Sequence, residues 1–245
     1  MTDIINFAHR GAAGYYPENT MLSFAKALEL GATGIETDVQ MTKDGELVLI
    51  HDETLQRTAG SPEWVKDFSL AEIKQREAGS WFHADYAGER IPTLEELLEL
   101  VSGTDTIVNI ELKTGVVMYP GIEQKVVDAV RRYGISERIV LSSFNHYSLV
   151  ECKKIAPDIR TGILYMEGLY EPWDYAKRIG ADALHAYQYA LTPELVAEAK
   201  AAGVAYHPFT VNDPKVMQAL IRAGVAGIIT DYPDRLAELL AKQGV

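Results

Sequence analysis

The sequence predicts an α/β protein, a single (β/α)8 TIM barrel with a small insertion after the second strand. Short β-branched or apolar runs alternate with helical patterns from end to end, as βα units feeding a parallel sheet would require. The 245 residues exceed an ordinary domain and suit one such barrel, with 47% hydrophobic residues to fill it. Helical stretches open on proline and stop at glycine, so the punctuation agrees with the periodicity.

In chain order, strands are expected at 4–9, 34–40, 107–112, 138–142, 160–164, 183–186, 204–209 and 227–230. Helices are expected at 20–30, 93–101, 122–133, 146–155, 172–179, 193–202, 214–223 and 233–243. Pro172, Pro193, Pro214 and Pro233 fall at first turns, where no backbone donor is lost, and Gly31, Gly134, Gly180 and Gly203 suit left-handed caps. The rhythm breaks once. A Lys43-Asp44-Gly45 turn leads to an extra strand at 46–50 that returns as a hairpin and brings His51 to the barrel mouth. The polar, aromatic-bearing stretch at about 52–91, with Trp64, Phe68, Trp81, Phe82 and Tyr86, is too long for a βα loop and is expected to cover the catalytic face. The whole chain, 1–245, then reads as one domain.

Composition excludes several classes. A net charge of −12 opposes a nucleic-acid surface, which needs clustered Lys and Arg. No stretch approaches the roughly 20 apolar residues that cross a bilayer, so no stable membrane anchor is expected. The opening residues carry neither a basic segment nor a long apolar one, which makes a cytoplasmic protein the expectation. The single cysteine, Cys152, reads as a half-buried helix thiol and suits a reducing compartment. The hydrophobic balance permits a monomer or a dimer.

The active site of such a barrel lies at the C-terminal ends of its strands, and polar residues gather there. His9 and Arg10 end the first strand. Glu36 and Asp38, two apart on the second, share the face opposite Ile35 and Val39. Asn109, Glu111 and Lys113 share one parity on the third, and a buried strand does not turn three polar side chains inward without purpose. Carboxylates converging at the mouth repel one another unless a cation joins them, and an all-oxygen set suits Mg²⁺ or Ca²⁺ better than zinc. Glu36, Asp38 and Glu111 are therefore the expected ligands of one divalent cation; the alternative is a buried ionic network with Arg10 and Lys113. His9 and His51 reach the same rim, where imidazoles can accept and donate protons near neutral pH. With Arg10 and Lys113 as anion clamps, this set suits cleavage of a phosphodiester. His83 and His146 read as surface or capping residues, while His185 and His207 could line the pocket or satisfy a polar interior.

The same residues fall in an ordered series: His9-Arg10-Gly11, Pro17-Glu18-Asn19-Thr20, Glu36-Thr37-Asp38-Val39 and His51-Asp52. It continues with Gly79-Ser80-Trp81-Phe82, Ile91-Pro92-Thr93-Leu94-Glu95, Glu111-Leu112-Lys113, Phe209-Thr210-Val211-Asn212 and Thr230-Asp231-Tyr232-Pro233. The series resembles the glycerophosphodiester phosphodiesterase family, of the bacterial cytoplasmic type, over nearly the whole chain. The resemblance implies a catalytic pair at His9 and His51, a divalent metal on Glu36, Asp38 and Glu111, and phosphate contacts from Arg10 and Lys113. It implies hydrolysis of a small glycerophosphodiester to sn-glycerol 3-phosphate and an alcohol. Phe209 departs from the Trp common there, which puts the head-group preference in doubt. Glu18 and Asn19 match the pattern, but their plainest physical role is at the start of the first helix, with Asn19 as N-cap.

His9 is taken as general base and His51 as general acid, an order that could be reversed; attack by water or by the substrate's own 2-hydroxyl is left open. Two other readings compete. A lysophospholipase D would need an apolar groove beside the mouth, for which Trp81, Phe82, Tyr119 and Phe144 are candidates. A non-catalytic glycerol-phosphate-binding barrel would be expected to have lost a ligand or a histidine, and this chain has every member of the set.

Overall fold

The structure is a computed structural model describing residues 4–243. Residues 1–3, which open the stretch read as lacking a leader, and the outer limits of the expected domain lie outside the described residues.

Among the described residues, eight parallel strands run in the order β8-β7-β6-β5-β4-β2-β1-β9, with β3 added antiparallel to β2. They are β1 (Ile5–His9), β2 (Gly34–Met41), β3 (Leu47–Leu49), β4 (Ile107–Leu112), β5 (Ile139–Ser143), β6 (Arg160–Tyr165), β7 (Ala183–Ala186), β8 (Ala205–Tyr206) and β9 (Gly227–Thr230). The barrel expected from the alternating pattern is observed. Its first and last edges meet through backbone hydrogen bonds rather than a regular ladder: Ala226 N to Tyr206 O, Ile229 N to Pro208 O and Val211 N to Ile229 O, at 3.0, 3.0 and 2.9 Å. The strand expected at 204–209 is shortened to Ala205–Tyr206. Pro208, which follows, has no amide to give to a ladder.

The helices are α1 (Met21–Glu29), α2 (Gln56–Ala59), α3 (Leu70–Ile73), α4 (Leu94–Ser102), α5 (Ile122–Arg132), α6 (His146–Ile155), α7 (Pro172–Ile179), α8 (Pro193–Ala201), α9 (Pro214–Ala223) and α10 (Pro233–Gln243). Thr20, not Asn19, caps α1: Thr20 is extended and its hydroxyl accepts from Ser23 N, whereas Asn19 sits at φ 52° with its side chain engaged elsewhere. Thr93 and Glu96 close a reciprocal capping box on α4.

The period-2 alternation of β2 and β4 separates two environments. Ile35, Val39, Val108, Ile110 and Leu112 face outward and pack with Leu97, Leu98, Val126 and Val130 of α4 and α5. A second apolar cluster joins β6–β9 to α7–α10 through residues such as Ile163, Leu184, Met217 and Leu236. Each fully buried aliphatic side chain contributes roughly 1.5–3 kcal/mol, which leaves the opposite face of β2 and β4 free for polar residues. Between β3 and α4 the chain makes α2, α3 and two 3-10 turns over a small core of Val48, Ile50, Leu55, Val65, Ile73 and Ile91. Tyr86 of this segment donates to Tyr15 O at 3.3 Å, tying it to the β1–α1 loop.

Candidate active site

At the end of β1 the chain turns through Arg10 (φ 53°) and Gly11 (φ 83°), both left-handed. Only glycine fits at 11, because a Cβ would lie 2.4 Å from Ser23 Oγ. Arg10 accepts a strain of about 1 kcal/mol, and its amide donates to Glu36 O and Glu36 Oε2 at 2.9 and 3.0 Å. The turn aims its guanidinium inward: Nη1 donates to Glu18 Oε1 at 3.0 Å, and Nε lies 3.3 Å from Asp38 Oδ2.

Oxygen atoms of Glu36, Asp38 and Glu111 lie within 4.8 Å of one another, all buried. Burial and the charge of Asp38 raise the carboxyl pKa of Glu36 well above its usual range and that of Glu111 to about 7. Burial also opposes ionisation of Asp38, but Arg10, His51, Lys113 and the Asn19 amide outweigh it and hold its pKa low. Lys113 Nζ donates to Glu111 Oε1 at 3.0 Å and stands 3.9 Å from Asp38 Oδ1. The ionic network therefore exists, yet two cations face three carboxylates. Asp38 Oδ1 and the nearby Asn109 Oδ1 are buried without a hydrogen-bond partner among the described residues. Unpartnered buried oxygens beside mutually repelling acids fit a hard divalent cation, and an all-oxygen donor set fits Mg²⁺ or Ca²⁺ alike.

Each rim histidine is held at Nδ1 by a carboxylate. His9 donates to Asp231 Oδ1 at 2.7 Å, and Asn212 Nδ2 donates to Asp231 Oδ2 at 2.6 Å. Asn212 cannot flip, since its Oδ1 accepts from Thr230 Oγ1 and Asp231 N at 3.1 and 3.0 Å. His51 donates to Asp52 Oδ1 at 2.7 Å, and burial holds its pKa below the ordinary value despite Asp38. A carboxylate only accepts, so in each ring the Nδ1 proton is fixed and Nε2 is left for chemistry. His9 Nε2 stands 4.0 Å from Glu36 Oε2. Gln40, next in the inward alternation after Glu36 and Asp38, pins the hairpin return: its Nε2 contacts the carbonyls of Ile50, His51 and Asp52 at 3.0, 3.1 and 2.7 Å.

These groups open on one cavity of about 230 Å³. One wall carries His9, Arg10, Glu36, His51, Asn109 and Glu111; the other is Phe144, Leu164, Met166, Phe209 and Ile229. Asp38 and Lys113 do not line it but pair with residues that do. The structure thus brings together all seven residues expected at the site. A larger groove of about 350 Å³ by the β2–β3 turn is no rival, because its Lys125 is bonded to Gly45 O and its Arg132 to Glu95.

The apolar wall is not the one expected. Tyr119 is buried with its hydroxyl on Gln40 Oε1, and Trp81 and Phe82 meet edge to face in the inserted segment; of the four, only Phe144 lines the cavity. His185 and His207 are buried against each other, Nδ1 of His207 to Nε2 of His185 at 3.0 Å, and satisfy the barrel interior rather than the pocket. His146 opens α6 with Nε2 on Leu164 O, and His83 is exposed at a 3-10 cap. Cys152 is fully buried and its thiol is pushed up to about 12, so it is inert.

Sequence reasoning set aside or passed over several residues the site uses. Asn19 donates to Asp38 Oδ2 at 2.9 Å and accepts from Thr37 Oγ1 at 2.8 Å. Glu18, Asp52, Asn212 and Asp231 each hold a catalytic candidate or its partner. Asp231 follows β9 directly and Asn212 follows β8, so extending the strand-end test to the last two strands would have marked both.

Comparison with known proteins agrees with this geometry. The model of the glycerophosphoryl diester phosphodiesterase family matches residues 9–235. A glycerophosphodiester phosphodiesterase of Caldanaerobacter subterraneus subsp. tengcongensis is 52% identical over 237 residues, covering 97% of this chain and 98% of that one. Among solved structures, an Oleispira antarctica phosphodiesterase in complex with the product sn-glycerol-3-phosphate is 31% identical, with a TM-score of 0.89 over 98% of this chain and 97% of that one. A Silicibacter pomeroyi protein described as a putative glycerophosphoryl diester phosphodiesterase, 29% identical, has a TM-score of 0.89 over 100% of this chain and 95% of that one.

Proposed function

The chain belongs to the glycerophosphoryl diester phosphodiesterase family, and from that premise we propose that it hydrolyses a small glycerophosphodiester to sn-glycerol 3-phosphate and an alcohol by two-histidine acid–base catalysis with a divalent cation. The observation that carries the mechanism is the pair of imidazoles, each locked at Nδ1 by a carboxylate beside one cavity that also holds the buried acids. Glu36, Asp38 and Glu111 would hold the cation. When bound, it supplies Lewis-acid polarisation of the phosphoryl oxygens. Arg10 and Lys113 offset the phosphate charge, Arg10 with a guanidinium that Glu18 and Asp38 keep in place. His9 Nε2, bare because Asp231 fixes the other proton, takes the proton of the attacking oxygen, and His51, entering the reaction with a second proton on Nε2, gives that proton to the leaving alkoxide. Among the described residues no helix is long and apolar enough to cross a membrane.

The test is release of sn-glycerol 3-phosphate from glycerophosphocholine by chelator-stripped protein, before and after Mg²⁺ or Ca²⁺ is returned. Activity should vanish on stripping and return with one of the ions; full activity in the stripped protein would refute the cation requirement. His51→Ala should lose about 10²–10⁴-fold on this substrate and far less on a p-nitrophenyl ester, whose leaving group needs no proton. Equal losses on both would reverse the histidine roles.

A second reading has one observation in its favour. The wall of Phe144, Leu164, Met166, Phe209 and Ile229 has no charged group and ends at exposed Met166 and Phe144, a path an acyl chain could follow out of the cavity. Lysophosphatidylcholine turned over faster than glycerophosphocholine would make the protein a lysophospholipase D.

A further inference from the structure

Arg57, on the four-residue helix α2 of the inserted segment, does not line the cavity, yet its guanidinium joins the supports of two residues that do. Nη1 and Nη2 fork onto Glu18, at 2.7 Å to Oε2 and 2.8 Å to Oε1. Nε and Nη2 fork onto Asp52, at 2.8 Å to Oδ2 and 2.9 Å to Oδ1. Glu18 Oε1 in turn accepts from Arg10 Nη1 at 3.0 Å, and Asp52 Oδ1 from His51 Nδ1 at 2.7 Å. The Trp81 ring, 5.6 Å from the guanidinium carbon, covers the cation.

Resting on the function proposed above, we infer that Arg57 is a positioning residue that holds His51 and Arg10 in register through Asp52 and Glu18. Two carboxylates meet at one side chain, and without its charge they repel and swing apart, carrying their partners with them. The Arg57 side chain is 40% exposed, so its ion pairs add little to the stability of the fold. Two bidentate forks fix direction, however, and a misplacement of about 1 Å at reacting groups can cost on the order of 10²-fold in rate. Lysine cannot replace it, because an ammonium is a point charge without the planar fork.

In a folded Arg57→Ala protein, kcat for glycerophosphocholine should fall about 10–100-fold and KM should rise, the first through His51 and the second through Arg10. Arg57→Lys should fall between this variant and the wild type. Millimolar guanidinium should restore part of the lost kcat in Arg57→Ala and leave the wild type unchanged. Independently of turnover, the downfield Nδ1–H proton resonance of His51, assigned by its loss in His51→Gln, should broaden or vanish in both Arg57 variants. Wild-type kcat and KM in Arg57→Ala, a deficit that guanidinium leaves untouched, or an unchanged His51 resonance overturns the inference. Because that resonance needs no turnover, it still decides the role of Arg57 if the wild type releases no glycerol phosphate, a result that would refute the proposed function instead.

Discussion

Replacing Asp231 by asparagine removes one charge and no volume, and the surrounding hydrogen bonds dictate which way the new amide points. Asn212 is fixed by Thr230 and by the Asp231 amide, so its Nδ2 must keep an oxygen opposite it, 2.6 Å away. The new NH₂ is thereby forced to where Asp231 Oδ1 stood, 2.7 Å from His9 Nδ1. Two donors cannot face each other, so the ring shifts its proton to Nε2 and loses the lone pair that takes the substrate's proton. Restoring the productive tautomer leaves a buried donor unpaired, at about 1–3 kcal/mol, and the imidazolium formed in the reaction loses a charge-assisted bond of about 1.5–3 kcal/mol. Together they correspond to roughly 10²–10⁴ in kcat with KM little changed, a loss of the kind seen when a triad aspartate becomes asparagine. Asp231→Ala loses only the second contribution, since water can serve either tautomer, and should be the more active of the two. Steady-state release of sn-glycerol 3-phosphate measures both. Asp231→Asn within about threefold of the wild type, or less impaired than Asp231→Ala, would sink the claim that Asp231 fixes the tautomer of His9.

Two further expectations concern the barrel interior. His207 is buried, and burial lowers its pKa from 6.5 to about 4, so the folded protein keeps it neutral where the unfolded chain binds a proton. Stability from this group is present above the unfolded pKa of 6.5 and is lost as pH falls toward 4; between pH 7 and 5 it drops by about 2 kcal/mol. Urea unfolding at the two pH values should show a drop about 2 kcal/mol smaller in His207→Asn than in the wild type, the buried His185 contributing a drop of its own in both; an equal drop in both proteins would contradict the assignment. Gly162 faces the same pair, since a Cβ there would lie 2.4 Å from His185 Nε2. Gly162→Ala should therefore cost about 1–3 kcal/mol in the same assay, and a neutral result would mean that the two rings can move aside.

The layered alternation of the fold was legible because it is local. Parity along β2 and β4 separated Glu36, Asp38 and Glu111 from Ile35, Val39 and Ile110 without reference to any partner. Helix ends were legible for the same reason, save at α1, where Asn19 and Thr20 both have capping chemistry and the choice was made by Asp38, nineteen residues away. Pairings across the barrel were not legible. His9 meets Asp231 over 222 residues of sequence, a contact produced by closure of the barrel and by nothing near either residue. The apolar wall was not legible for the same reason: barrel closure brings Leu164 and Ile229 from β6 and β9, and Met166 and Phe209 from the loops after β6 and β8, to face the β1, β2 and β4 ends.

Closure of the barrel has a consequence for how the enzyme dies. The β8–β9 seam is stitched by scattered backbone bonds around Pro208, and Asn212 and Asp231 sit immediately beyond its two sides. Regions with few ordered ladder bonds open at lower free energy than the globule as a whole. Opening here separates Asn212 from Asp231, so that the carboxylate holding His9 loses its own anchor, and it parts the second apolar cluster, which spans the seam, while the first remains intact. Mild denaturation would therefore leave a population that is compact and helical by spectroscopy but silent in turnover, and any ligand that bridges the mouth would act on this seam as a clasp.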